Sequence, residues 1–186
     1  MIYIILGIVA FLLFVLYDVN SIILKHKLLY CCFFLGFLLL TVATIGIVIR
    51  SRDLIKIDIF RMGVFGALAV IFFFLLIYTL FFALPFKNTY IESKGPPKVC
   101  QSGVYALCRH PGVLWFMGFY AFIGLALMIP LLLIAAVVFS ILNILYVLFQ
   151  DRWTFIKSFD NYDKYKMDTP FLFPNMKSIK RCLKTL

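Results

Sequence analysis

Five long apolar runs occupy most of this chain: residues 2–17, 28–49, 63–86, 112–129 and 131–149. None of them contains a charged residue. A run of about 20 apolar residues is what a helix needs to cross a bilayer. The last two runs are one stretch of 38 residues interrupted only by Pro130. As a single helix that stretch would reach about 57 Å, nearly twice a hydrocarbon core of ~30 Å. Proline stops a helix, so a tight hairpin at Met128-Ile129-Pro130 resolves the excess. The pattern predicts an all-α polytopic membrane protein of about five transmembrane helices, in one integral membrane domain over 1–186.

The hairpin has a chemical consequence. It leaves one membrane surface at Arg109-His110 and returns to it at Gln150-Asp151, so two polar clusters 40 residues apart in sequence should meet. Pro111 suits the first turn of a helix, where a missing N–H costs nothing. Over 150–166 a helix would gather Asp151, Phe155, Phe159, Tyr162 and Tyr165 within an arc of about 120°. That predicts an amphipathic helix at the membrane surface, with an aromatic face carrying one acid. Residues 85–108, stiffened by Gly95-Pro96-Pro97, form the other long polar segment and run directly into the hairpin. Asn143, the one amide inside the hairpin, fits a helix–helix hydrogen bond.

Composition agrees with membrane residence. Of 186 residues, 65% are hydrophobic and 14% charged, with mean hydropathy +1.06. The first run has no basic residue before it and no small-residue cleavage pattern after it, so it reads as a retained helix rather than a signal peptide. Cys182 stands one place too early for a prenylation box. The net charge of +10 fits the positive-inside rule with the N-terminus outside and the C-terminus cytoplasmic. Fourteen of the 18 basic residues then fall inside, against Arg50, Arg52, Lys56 and Arg61 outside. Topology explains these charges more simply than nucleic-acid binding does. With two histidines and scattered cysteines, no metal-ligand spacing is present. The small size suggests a bacterial plasma membrane.

"SGVYALCRHPGV" followed, after an apolar hairpin, by "QDRWTFIKSFDNYDKYKMDTP" resembles the isoprenylcysteine carboxyl methyltransferase family of membrane enzymes. Ser102, Gly103, Tyr105, Arg109, His110 and Pro111 match the family's first block; Tyr162, Tyr165 and Pro170 match its second. The resemblance covers about residues 95–174, so 87–186 reads as a methyltransferase-like core behind three N-terminal helices over 1–86. It implies S-adenosylmethionine bound at the cytoplasmic membrane face by Pro97, Lys98, Val99, Cys100, Tyr105, His110, Pro111, Gly112, Val113 and Gln150. It also implies an amphiphilic acceptor entering from the bilayer, met by Tyr146, Tyr162 and Tyr165. Arg109 and Asp151 are the candidate catalytic pair. A carboxylate acceptor is already ionised and needs a cation to hold it. An amine or thiol acceptor needs a base, for which His110 or Asp151 would serve.

The chain departs from the family pattern at four places. Val113 replaces a tyrosine, Trp115 a glycine, Gln150-Asp151 a glutamate pair, and Tyr146 an arginine near the substrate. Three alternatives therefore stand beside a prenylcysteine-type methyltransferase. One is a phospholipid amine or thiol methyltransferase. Another is a sterol-reductase-like enzyme using NADPH, for which the chain is short. The last is a non-catalytic membrane scaffold.

Overall fold

The computed structural model describes residues 1–83 and 98–185. The described residues are helices and connecting turns, and the chain is a polytopic helical membrane protein. Helix α1 (Ile2–Val19) continues through a π-turn over Asn20–Leu24. Then follow α2 (Cys31–Arg50), α3 (Ile59–Phe81), the single turn α4 (Val104–Leu107), α5 (Pro111–Leu127) and α6 (Pro130–Phe149). A second π-turn over Gln150–Thr154 carries α6 into α7 (Phe155–Ser158), and α8 (Tyr162–Asp168) and α9 (Met176–Thr185) complete the chain.

Four stretches are long and apolar enough to span a membrane, and α5 is a shorter fifth. The first is longer than the pattern over 2–17 suggests, because Asp18 and Asn20 continue the helix instead of ending it. Asn20 is fully buried. Its amide donates to the His26 carbonyl at 3.1 Å and its Oδ1 accepts the His26 N–H at 2.8 Å, which clasps the turn into α2. Helix α3 begins four residues before the predicted run, at an N-cap where Asp58 accepts the Arg61 N–H at 3.0 Å. The end of that run, 84–86, lies outside the described residues.

The hairpin turns where expected, by a different device. Met128 takes the left-handed conformation (φ 52°) and ends α5, while Pro130 opens α6 at its first turn. Proline is thus the start of the second helix and not the stop of the first. Arg61 donates to the Ala126 carbonyl at 3.3 Å, covering one of the open carbonyls at the end of α5.

The helices pack in the order α2, α1, α6, α5, α3. Where apolar side chains are equally content in lipid, close contact between helices needs small residues at the seam. Gly7 of α1 faces the ring of Phe139 on α6, and Gly118 of α5 faces Phe72 on α3; a Cβ at either place would overlap the ring. Phe139 and Ile47 are completely buried in a core shared with Phe11, Phe116 and Tyr120. The Thr44 and Tyr120 hydroxyls share a 2.6 Å hydrogen bond that ties α2 to α5. Leu12, Phe34, Phe74 and Val137 stand exposed on the outside, as lipid-facing side chains do.

The helix expected over 150–166 is present in two pieces. Phe159 is extended and Asp160-Asn161 form a turn between α7 and α8. Asn161 is held there by accepting the Val99 N–H at 2.8 Å. The break turns the chain back on α7, while the aromatic residues still meet: Phe155 packs its ring on Tyr162, and Tyr162 on Tyr165. Helix α9 packs against α4 and opens with a reciprocal cap between Asn175 and Ser178. Its exposed Met176 and Leu183 lie on the same short helix as Lys177, Lys180 and Lys184, the mixture that suits a membrane surface.

Candidate functional site

The two hairpin ends meet around Asp151. Its Oδ1 accepts from Arg109 Nε at 2.8 Å, from His110 Nε2 at 3.2 Å and from the Tyr162 hydroxyl at 2.6 Å; its Oδ2 accepts from Arg109 Nη2 at 3.1 Å. Lys166 Nζ stands 3.7 Å from Oδ2. Arg109 also donates through Nη1 to the carbonyls of Lys166 and Thr169, at 3.0 and 2.8 Å, and lies over the Phe171 ring. Four of the five guanidinium donors are thereby used inside the protein. Side-chain exposure is 10% for Arg109 and 6% for Asp151. This buried bidentate pair ties α5 and α6 to the segment after α8. The backbone repeats the tie: the Arg109 and His110 N–H groups donate to the Pro170 and Phe171 carbonyls.

His110 is stacked on Phe155 and meets Phe171 edge-on. Burial pulls its pKa below the ordinary 6.5, against the opposing pull of Asp151. The imidazole is neutral at pH 7 and its Nε2–H faces the carboxylate. Above pH 6.5 folded and unfolded chains are both neutral at this residue, and it adds no pH dependence. As pH falls from 6.5 towards the depressed value, the unfolded chain takes up the proton and the folded one resists it, so stability falls. The thermal midpoint in detergent should therefore drop between pH 7.5 and 5.5, with a shallower slope in His110→Gln. Equal slopes would remove His110 as the cause.

Burial raises the Tyr162 and Tyr165 phenols well above their usual range, which keeps both as hydrogen-bond donors. Tyr165 donates to the Tyr105 carbonyl at 2.6 Å, and Tyr105 donates to the Thr79 carbonyl at 3.0 Å. The Cys108 thiol is buried and pushed up to about 12 by that burial, so it is inert at neutral pH. Among the described residues no three His, Cys, Asp or Glu side chains converge on a common point.

Beside the Asp151 cluster lies an open-sided cavity of about 340 Å³, lined by residues of all five long helices. Its wall includes Tyr105, Arg109, His110, Pro111, Gly112, Val113, Tyr146 and Gln150, eight of the candidate catalytic, cofactor and substrate residues. The rest is mainly aromatic and aliphatic, with Phe14, Phe33, Phe116 and Phe155 prominent. A second cavity of about 410 Å³ lies along α2 and α3 with α5 as its floor. The two share Phe37, Leu40, Leu76 and Phe116 as wall residues, so an apolar trough continues from the polar end between α2 and α3.

Several expected site residues lie elsewhere. Asp151 and Tyr162 sit behind Arg109 and His110, and Tyr165 sits behind Tyr105. Lys98, Val99 and Cys100 are not part of the wall; Lys98 is exposed, Val99 is bound to Asn161, and Cys100 lies 3.5 Å from the Ser102 hydroxyl. Pro97 lies outside the described residues. Asn143 lines the cavity and makes no helix–helix hydrogen bond among the described residues, because its position on α6 faces the open space.

Sequence reasoning missed Asp18. Its Oδ2 accepts from Gln150 Nε2 at 2.9 Å, and the same nitrogen lies 2.8 Å from the Tyr146 hydroxyl. A lone acid at the end of an otherwise apolar span is the signal that could have found it, since ionisable groups in a membrane helix carry a cost. Thr79, which accepts from Trp115 Nε1 at 3.0 Å, also joins the wall without advance notice.

No family model, no curated protein and no solved structure matches this chain. The class it belongs to is defined by its fold alone, as a small polytopic helical membrane protein with a cavity at one end of the bundle.

Proposed function

We propose that this chain is an integral membrane methyltransferase that carries a methyl group from S-adenosylmethionine to the polar end of an amphiphile. One observation carries the reading. Tyr105, Arg109, His110 and Pro111 of the first sequence block share the wall of one cavity with Gln150 and Phe155 from beyond the hairpin, and that cavity continues into an apolar trough between α2 and α3. A pocket of a few hundred Å³ with few polar groups is the kind that takes a cofactor.

The donor set fits the cofactor. Tyr105, His110, Gly112, Val113 and Gln150 would hold it, and the aromatic wall suits its sulfonium, since cations are attracted to ring faces. Bound S-adenosylmethionine would supply the electrophilic methyl group. The chain's own residues then position and exclude. Methyl transfer is an in-line displacement, and holding both partners in place can supply much of its rate. Arg109 and Asp151 act in this reading as positioning residues: they lock α5, α6 and α8 around the wall.

The acceptor class follows from charge. Arg109 is the one cation of the described wall, and it is spent on Asp151. Among the described residues, a prenylcysteine-type carboxylate has no free cation to meet there. This favours an amine- or thiol-bearing amphiphile over a carboxylate. The basic excess of the sequence supports a cytoplasmic placement of this end of the bundle and the C-terminus.

The test is calorimetric titration of the purified protein in dodecyl maltoside with S-adenosylmethionine and S-adenosylhomocysteine, followed by transfer of labelled methyl groups into a lipid extract. Saturable binding and a labelled lipid are expected. A folded sample that binds neither compound would overturn the reading in favour of a scaffold or another cofactor.

A further inference from the structure

Asp18 and Asp151 are the two buried carboxylates among the described residues, each 4% exposed. Their surroundings differ. Asp151 is faced by Arg109, His110 and Lys166. Around Asp18, no cation among the described residues comes within 4.0 Å of the carboxylate, which meets the donors of Gln150 and Tyr146 instead. A buried carboxylate without a counter-charge is costly and demands one.

Asp18 also decides what the cavity sees. A carboxylate only accepts, so it fixes the flip of the Gln150 amide. The Nε2 hydrogens point to Asp18 and Tyr146. Gln150 lines the cavity, and with its amide hydrogens taken its carbonyl oxygen is the group that remains to accept from a ligand there. Aromatic rings surround the same corner: Phe14 packs against Tyr146 and Phe33, and Phe33 against Tyr17. An acceptor, a buried negative charge behind it and ring faces beside it together match an organic cation.

We propose that the Asp18–Gln150–Tyr146 corner is a seat for an onium group, with Asp18 supplying from α1 the negative charge that Gln150 lacks. The onium is either the sulfonium of the methyl donor or the ammonium of an amphiphile's head group. The first source rests on the function proposed above; the second does not. Asp18 touches neither ligand directly and acts through Gln150.

The experiment compares two pairs of similar shape that differ in charge, by calorimetry in dodecyl maltoside. One pair is S-adenosylmethionine and the neutral S-adenosylhomocysteine. The other is n-octyltrimethylammonium and the neutral n-octyldimethylphosphine oxide. Wild type should prefer the cation in at least one pair by about tenfold, the effect of one partly screened charge. Asp18→Asn, which keeps the shape, should abolish that preference, and Asp18→Asn/Gln150→Glu should restore it. The pair that responds names the source.

A preference that survives in Asp18→Asn would overturn the seat, as would a wild type with no cation preference in either pair. If S-adenosylmethionine and S-adenosylhomocysteine bind equally and the ammonium has no advantage, the seat fails while the methyltransferase reading stands. If neither adenosyl compound binds but the ammonium is preferred and responds to Asp18, the methyltransferase reading fails and the seat stands.

Discussion

Asp151→Ala should be the most destabilising single substitution at this end of the molecule, with a cost of about 3–5 kcal/mol. The reason is what it leaves behind. Arg109 would remain buried and charged, with two carbonyls for company and no anion. The Tyr162 hydroxyl and the His110 Nε2–H would lose their acceptor, and each unsatisfied buried donor costs about 1–3 kcal/mol. Some of this would relax as water enters, so the sum is an upper bound. Asp151→Asn keeps a hydrogen-bond acceptor and loses only the charge, so it should fall between wild type and alanine. Thermal unfolding in detergent, followed by a probe in α8, reads the order directly. An alanine variant melting with wild type would mean that α5, α6 and α8 are held by their apolar contacts alone. The prediction also separates stability from chemistry: loss of ligand binding in Asp151→Ala would say little about catalysis.

Gly112→Trp should abolish binding of S-adenosylhomocysteine and leave the fold intact. Gly112 is in the first turn of α5, and a Cβ there would stand 3.8 Å from Leu76 and 3.9 Å from Thr79, an ordinary contact distance. Leu76 and Thr79 are themselves cavity wall. A side chain grown from this position therefore enters the cavity without clashing at its root, and an indole fills much of the space a ligand needs. Wild-type thermal stability with undetectable calorimetric heat is the expected pair of results. Unaltered binding would place the ligand site outside this cavity. Gly118→Trp serves as the contrast: a side chain there collides with Phe72 at the α3–α5 seam, so it should lower stability whether or not the cavity binds anything.

The hairpin shows how far sequence reasoning reaches in such a chain. In lipid the backbone must satisfy its own hydrogen bonds, so an uncharged run of this length can only be a helix. The excess length then forces a turn, and the turn forces Arg109-His110 and Gln150-Asp151 to one end. That chain of necessity needs no knowledge of side-chain partners, and the structure follows it. It weakens where polar residues become frequent. The predicted 150–166 helix breaks at Phe159 because Asn161 is drawn to the Val99 N–H, a contact with residues 62 positions away.

Partner choice is the part that only tertiary structure decides. Arg109 reads in the sequence as half of a candidate catalytic pair with Asp151. In the folded chain it is consumed by Asp151, because the hairpin and α8 bring acid and base within bonding distance in a buried place. Asp18 reads as the end of a span, yet it reaches Gln150 across 132 positions of sequence. Asn143 reads as a bridge between helices and instead borders open space. The long apolar helices, the hairpin and the end where polar chemistry gathers were legible in the residues, because bilayer thickness and backbone hydrogen bonding constrain every residue in a run alike. The tertiary structure alone decided which charges cancel and which stay uncompensated, because a single polar side chain carries no record of the neighbour that helix packing will bring to it.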